Sequence, residues 1–185
     1  MPDFPADAAS IGPAGALSPW AEGSVYNGLY GGGWASRTLV ANLAVIAEVF
    51  LPVIATLRGF SWTNGSAVSG NVDCGLYDAH RNQIAHTGST AQAGTNASQA
   101  VGATATQLNP GNYYVAVAID NATGTFNSQG SNPNSAGTFY IYPAFGLFTM
   151  ASAFPLPSTL TLAAPSAAAQ AYLPMFGALI DTSVV

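Results

Sequence analysis

Between Asp120 and Asp181 the chain runs for sixty consecutive residues without an Asp, Glu, Lys or Arg. An ordinary soluble domain is roughly a quarter charged. Here eleven of 185 residues are, and there is no lysine. A surface this poor in charge is covered by neighbouring subunits or kept wet by Asn, Ser, Thr, Gln and Gly. Both alternatives point to an assembled structural protein and away from a catalyst.

The length suits one domain plus arms. Apolar residues make up 49 % of the chain, enough for a sizeable core. Many of them are Ala, mixed with Gly, Ser, Thr and Asn, a composition for short strands and tight turns. The formal charge is −5. Arg37, Arg58 and Arg81 are far apart, so no basic patch exists to neutralise phosphates or anionic lipid headgroups. Nucleic acid and membrane are therefore not expected partners. A single cysteine, Cys74, rules out an intrachain disulfide and a thiolate metal cluster. The first residues, MPDFPAD, have neither the basic nor the apolar region of a secretion signal.

Residues 1–37 read as an extended N-terminal arm, with prolines at 2, 5, 13 and 19, a Gly31-Gly32-Gly33 run and widely spaced aromatics. Residues 38–185 read as an antiparallel β-sandwich. Leu39–Leu57 is apolar for almost the length of a membrane span, but Asn42, Glu48 and Pro52 interrupt it. Its Val and Ile content predicts two strands meeting at Leu51-Pro52. A strand follows at 57–62, with Leu57, Gly59 and Ser61 alternating against Arg58, Phe60 and Trp62, and Asn64-Gly65 closes a turn. In 71–78 the residues Val72, Cys74 and Leu76 share a face. A polar turn at 78–82 leads to a partner strand at 83–87. Residues 97–108 form a weakly patterned strand, and 109–112, with Pro before Gly, a turn. The alternation in 113–120 marks another strand. A polar loop at 123–137 precedes short strands at 138–142, 145–150, 158–162 and 177–180, and 166–172 has room for one turn of helix. Alanines at alternating positions are expected to let the two sheets approach closely. Many short strands with turns between them make the class all-β.

Few residues suggest chemistry. His80 and His86, with Asp73 and Asp78, lie close across the predicted 71–87 hairpin, but no H-x-H or HExxH spacing supports a metal site. The expected reading is solvent-facing histidines, with Asp78 and Asp120 as solvated acids at strand ends. No paired-carboxylate, G-x-S-x-G, P-loop or dinucleotide pattern is present. Catalytic, cofactor-binding and metal residues are therefore expected to be none, and Cys74 an inert core thiol. The candidates for subunit contact are the aromatics: Trp20, Tyr26, Tyr30, Trp34, Phe145, Phe148, Phe154, Tyr172 and Phe176. Aromatics of this kind also stack on sugars.

Several pieces carry a resemblance: LVAN at 39–42, the apolar strand ending in Leu51-Pro52, GNVDCGLYDA at 70–79, TGSTA at 87–91, and L-x-PG-x-YYVAVA-x-D at 108–120. In order and spacing they resemble the small jelly-roll-like virion proteins of tailed bacteriophages: capsid decoration (cement) proteins, head fibres and tail-fibre modules. The segment 155–180 resembles the way such modules end. The resemblance implies a jelly-roll-like sandwich without catalytic residue or cofactor, made in the bacterial cytoplasm and built into the virion. The partners it implies are copies of itself, as a homotrimer, and major capsid or other virion proteins. A tail-associated module that binds a receptor or host-surface glycan is the alternative.

Overall fold

The computed structural model describes residues 16–17, 34–129, 147–164 and 173–182. In chain order the strands are β1 (Ala16–Leu17), β2 (Trp34–Thr38), β3 (Ala44–Leu51), β4 (Ala55–Thr63), β5 (Asn71–Tyr77), β6 (Gln83–His86) and β7 (Thr90–Ala91). They continue with β8 (Ser98–Leu108), β9 (Gly111–Ile119), β10 (Thr125–Gln129), β11 (Leu147–Met150), β12 (Leu173–Pro174) and β13 (Phe176–Asp181). No helix occurs among the described residues, and the all-β expectation holds. The apolar tract 39–57 is β3 and β4, and no helix among the described residues is long and apolar enough to cross a membrane.

All pairings are antiparallel. One sheet has the order β1-β13-β4-β8. A second has the order β11-β3-β9-β5-β6, with β7 also on β5. A third, smaller sheet is β12-β10-β2, and an Asn64–Phe126 bridge connects it to the end of β4. Two pieces of the stretch read as an arm thus pair with the chain's own strands: Ala16–Leu17 with β13, and Trp34–Thr38 with β10. The expected strand at 138–142 and the helical turn at 166–172 lie outside the described residues.

The main core lies between the four-stranded and six-stranded sheets. Leu57, Phe60 and Trp62 of β4 and Phe176, Ala178 and Ile180 of β13 meet Val45, Val49 and Leu51 of β3. Val72, Cys74 and Leu76 of β5 and Val115, Val117 and Ile119 of β9 complete it. Burying each of the larger side chains is worth ~1.5–3 kcal/mol. A bulge makes the β4 contribution possible. Across β13, Leu179 pairs with Gly59 and Ile180 with Leu57, leaving Arg58 as an extra residue. The bulge switches the alternation, so Leu57 and Phe60 both point inward although simple period two puts them on opposite faces.

The other face of the six-stranded sheet is also covered. Residues 151–164 run across it as a strap, and Ala153, Leu156 and Leu160 pack on Ala44, Ile46, Tyr77, Ala116 and Ala118. The alternation in β9 sorts its residues by size. Val115, Val117 and Ile119 face the opposite sheet, whereas Ala116 and Ala118 face the strap. The alanines of β9 therefore let the strap lie close to the sheet; they do not bring the two sheets together.

Three local expectations change. The stretch expected as a polar loop at 123–137 begins with a strand, β10, which pairs with β2. Asn64-Gly65 does not close a hairpin, because β4 pairs with β8 and β13 while β5 pairs with β6, β7 and β9. Asn64 is instead fully buried. It accepts from Trp62 Nε1 at 3.0 Å and donates to the Ala93 carbonyl and to Gln99 Oε1. The STLTL stretch at 158–162 forms no strand, only a bridge of Thr159 to Asn82, with a further bridge of Ala163 to Thr149 just beyond it. Its role is to close the strap.

Two glycines in the β4–β8 pair make a direct test. A Cβ on Gly59 meets the Val101 carbonyl oxygen at 2.3 Å, whereas a Cβ on its partner Gly102 meets nothing within 4 Å. Gly59→Ala should cost about 2 kcal/mol or more, since backbone has to move. Gly102→Ala should be neutral or slightly stabilising. Urea unfolding of the two variants checks the difference.

Candidate functional site

Asp73 is the one charged side chain fully buried among the described residues. It sits on β5 opposite the Val72-Cys74-Leu76 face, beneath the strap. Burying a carboxylate is expensive unless its oxygens are satisfied, and three donors converge on this one. His86 Nδ1 lies 3.0 Å from Oδ2 and 3.2 Å from Oδ1. The Thr87 hydroxyl donates to Oδ1 at 3.3 Å, and the Leu156 backbone N–H to Oδ2 at 2.9 Å. The Thr87 hydroxyl in turn accepts from the Cys74 N–H at 3.0 Å. Asp73 thus joins β5, the end of β6 and the strap.

In the tautomer with the proton on Nδ1, His86 donates to the Asp73 carboxylate. Nε2 takes no partner among the described residues, and the side chain is 36 % exposed. A carboxylate that orients an imidazole is two-thirds of a nucleophile-activating triad, but among the described residues the third part is not supplied. No hydroxyl or thiol bonds to His86 among the described residues. Cys74 lies on the other face, fully buried, and burial drives its thiol pKa strongly upward. The expectation of an inert core thiol agrees with this placement.

Of the four residues considered for a metal, Asp73 and His86 come together while Asp78 and His80 serve the turn. Asp78 Oδ1 accepts from the backbone N–H of His80 (2.8 Å) and of Asn82 (2.9 Å), with Arg81 at a φ of 72°. Among the described residues no three His, Cys, Asp or Glu side chains gather as metal ligands. Beside the Asp73 group, the Tyr77 hydroxyl donates to the Pro157 carbonyl at 2.7 Å, and Gln83 Nε2 reaches both. Burial pushes the Tyr77 phenol up to about 12, so it remains a donor throughout the neutral range. These bonds fasten the strap a second time.

The proposed contact aromatics fall into three groups. Trp20, Tyr26, Tyr30, Phe145 and Tyr172 lie outside the described residues, and of Trp34 only the backbone pairing with Gln129 is described. Phe148 and Phe154 are half-buried against the strap-side core, with Phe148 edge-on to Tyr114 at 6.3 Å. Phe176 is 3 % exposed and belongs to the main core, so its ring offers no surface to a partner. The exposed bulky side chains are different ones. Phe50 and Ile54 are each 57 % exposed and Val53 is 43 %. Val40 (44 %) and Val68 (36 %) are exposed elsewhere, but Phe50, Val53 and Ile54, with the exposed Pro52, make the crossing from β3 to β4 a crest that is apolar along the sequence. Sequence reasoning absorbed them into strands. Pro52 was the available signal, since a proline ends strand pairing and exposes its neighbours at the end of a sandwich.

A polar knot ties the other end of β5. Asp120 accepts from the Asn71 N–H (2.9 Å), Asn71 Nδ2 (2.8 Å) and Asn121 Nδ2 (2.7 Å). Gly70, at a φ of 67°, packs against it where a Cβ would strike Asn121 and Asp120. The bonds from Asn121 and Asn71 hold the Asp120 carboxyl below its usual value.

Searches against protein-family models, curated proteins and solved structures find no match.

Two predictions follow from these carboxylates. Asp73→Ala strands the Leu156 N–H and frees the strap, at a cost of ~3 kcal/mol, whereas His86→Ala, at a partly exposed site, should cost about 1 kcal/mol. Chemical denaturation of both variants checks the order, and an equal loss would deny Asp73 its anchoring role. Asp120 has a folded pKa depressed from 3.8. Its stabilisation is therefore complete above the unfolded value and is lost as pH falls through the folded one. The stability gap between the wild type and Asp120→Asn should be open at about pH 6 and shrink towards about pH 2, as followed by thermal melts.

Proposed function

We propose that this chain is a structural component of a bacteriophage virion, a capsid decoration or head-fibre protein acting through contacts between subunits. The observation that carries the reading is the apolar crest Phe50-Pro52-Val53-Ile54 on a body with so few charges. Exposed bulky apolar groups on a charge-poor surface favour burial against protein. The strand ends and turns of 39–120, which resemble modules of phage virion proteins, supply the setting. The Asp73–His86 pair is read as a structural clasp, since its three bonds all hold main-chain elements together.

The test is the purified virion of a phage that encodes this chain. Mass spectrometry should find it in fixed stoichiometry to the major capsid protein, and electron microscopy should place its density on the head. Density at the tail tip would favour the receptor-binding alternative, and absence from washed virions would overturn the proposal. Phe50→Ser with Ile54→Ser should leave the circular dichroism spectrum unchanged and lower virion occupancy.

A further inference from the structure

The sheet edges of this molecule are not treated alike. On the outer side of β11, Thr149 and Ala163 exchange backbone bonds of 2.9 and 3.0 Å. Beside β6, Gln83 N–H bonds to the Ser158 carbonyl and Leu160 N–H to the Arg81 carbonyl. The strap thus caps both ends of the six-stranded sheet. β1 and β12 are only two residues long, and β2 receives the Ser66 N–H on its Ser36 hydroxyl. The exception is β8. It is the longest strand, with eleven residues, and it pairs with β4 on one side and with no strand on the other among the described residues. Natural proteins blunt such edges with lysine, proline, inward charge or a cover. β8 has no lysine, proline or charge and no cover among the described residues, its one irregularity being the register shift opposite Arg58, and no Asp, Glu, Lys or Arg occurs from Asn82 through Ile119.

We propose that the open edge of β8 is an assembly surface that takes β8 of a second copy of this chain, antiparallel across a two-fold axis. The joined sheets then form one continuous eight-stranded sheet. The chemistry of the site selects an extended strand, because what an edge offers is a row of backbone donors and acceptors. Three observations favour a second copy. An antiparallel pair about a two-fold is self-complementary, and with no charge on β8 nothing repels like from like. The first half of the strand is regular, Ser98–Gly102 pairing with Gly59–Thr63 in unbroken register before the irregularity near Arg58. That half is also held in place, since Gln99 bonds to Asn64, to the Ala93 N–H and to the Ala91 carbonyl. Ser98, Ala100 and Gly102 are small and exposed, so a neighbouring strand approaches without collision. Centring the pair on Ala100 sets Ser98 opposite Gly102 of the second copy, and Ala100 opposite itself.

This inference deepens the reading of an assembled structural protein and rests on it for its biological setting, but its test uses the isolated chain. It also departs from the trimer that the virion resemblance implies, so mass distinguishes the two. The full-length wild type should show a concentration-dependent dimer by light scattering and sedimentation equilibrium. Ala100→Lys places two like charges directly opposite and should raise the dimer dissociation constant by about tenfold or more, with an unchanged circular dichroism spectrum. As a second variant, Ala100→Cys leaves the strand uncharged. Diamide, as the oxidant accepting two electrons and two protons per bond, should convert it to a disulfide-linked dimer, because directly opposed residues have Cβ atoms near bonding distance. Cys74 is buried and remains a thiol.

A wild type that is monomeric or trimeric overturns the proposal. So does a dimer indifferent to Ala100→Lys, or one in which Ala100→Cys fails to cross-link. If the edge fails while the protein is present in virions, the structural reading survives without it. If the dimer forms as described but virions lack the protein, the edge stands and the virion reading falls.

Discussion

The central strands of the six-stranded sheet are covered on both faces, and the rest of the structure follows from that. One face meets the opposite sheet and the other meets the strap, so its central strands β3, β5 and β9 have almost no wet side for polar residues. β9 is accordingly apolar at every position from Tyr113 to Ile119. The one charged group fully buried there, Asp73, has to be satisfied on the spot. Its three donors come from β6, from the residue after β6 and from the strap, so the cost of burying the carboxylate is offset by bonds that also set how those pieces lie. Arg58 and Asp181 form an ion pair at 3.1 Å, and it is exposed. An exposed pair contributes little to stability; this one lies at the bulge that sets the inward face of β4.

Much of the strand inventory was legible. Period-two alternation located β5 and β9, and the polar run Asp78–Asn82 located the β5–β6 turn, because in both cases the deciding interactions are local in sequence. Three features were not legible, for one common reason. The bulge at Arg58 depends on β13, the burial of Asn64 on Ala93 and Gln99, and the strap on Asp73. Each is decided by a partner far along the chain. Asn-Gly is a strong hairpin signal only where the flanking strands pair with each other, and here a third strand claims each. The clasp was half visible: Asp73 and His86 both stood among the residues gathered around the predicted hairpin, but the Leu156 N–H that completes it lies between the stretches 145–150 and 158–162 that were read as strands.

Scarcity of charge has different meanings in different parts of the molecule. In β3 and β9 it reflects burial inside a single chain. At the crest and along β8 it reflects something else, since these residues meet water in the isolated chain. Aromatic content alone did not separate the two cases. Phe126 and Phe176, both from the charge-free stretch, are core residues, whereas the most exposed bulky groups, Phe50 and Ile54, come from a tract that carries Glu48.

The connections also govern how the chain reaches this state. β3 to β4, β4 to β5 and β8 to β9 each step from one sheet to the other, so neighbours in sequence are seldom partners in space. Arg58 and Asp181, which meet at the β4–β13 pairing, are separated by 123 positions. Closing so long a loop costs entropy before any contact repays it, and topologies dominated by such closures fold slowly. While the chain is being synthesised, β4 is made well before β13 and waits with one side unpaired. During that interval a strand-forming segment whose one charge is Arg58 is exposed to its neighbours on the polysome, and the hydroxyl- and amide-rich turns between the strands favour its solvation until its last partner arrives.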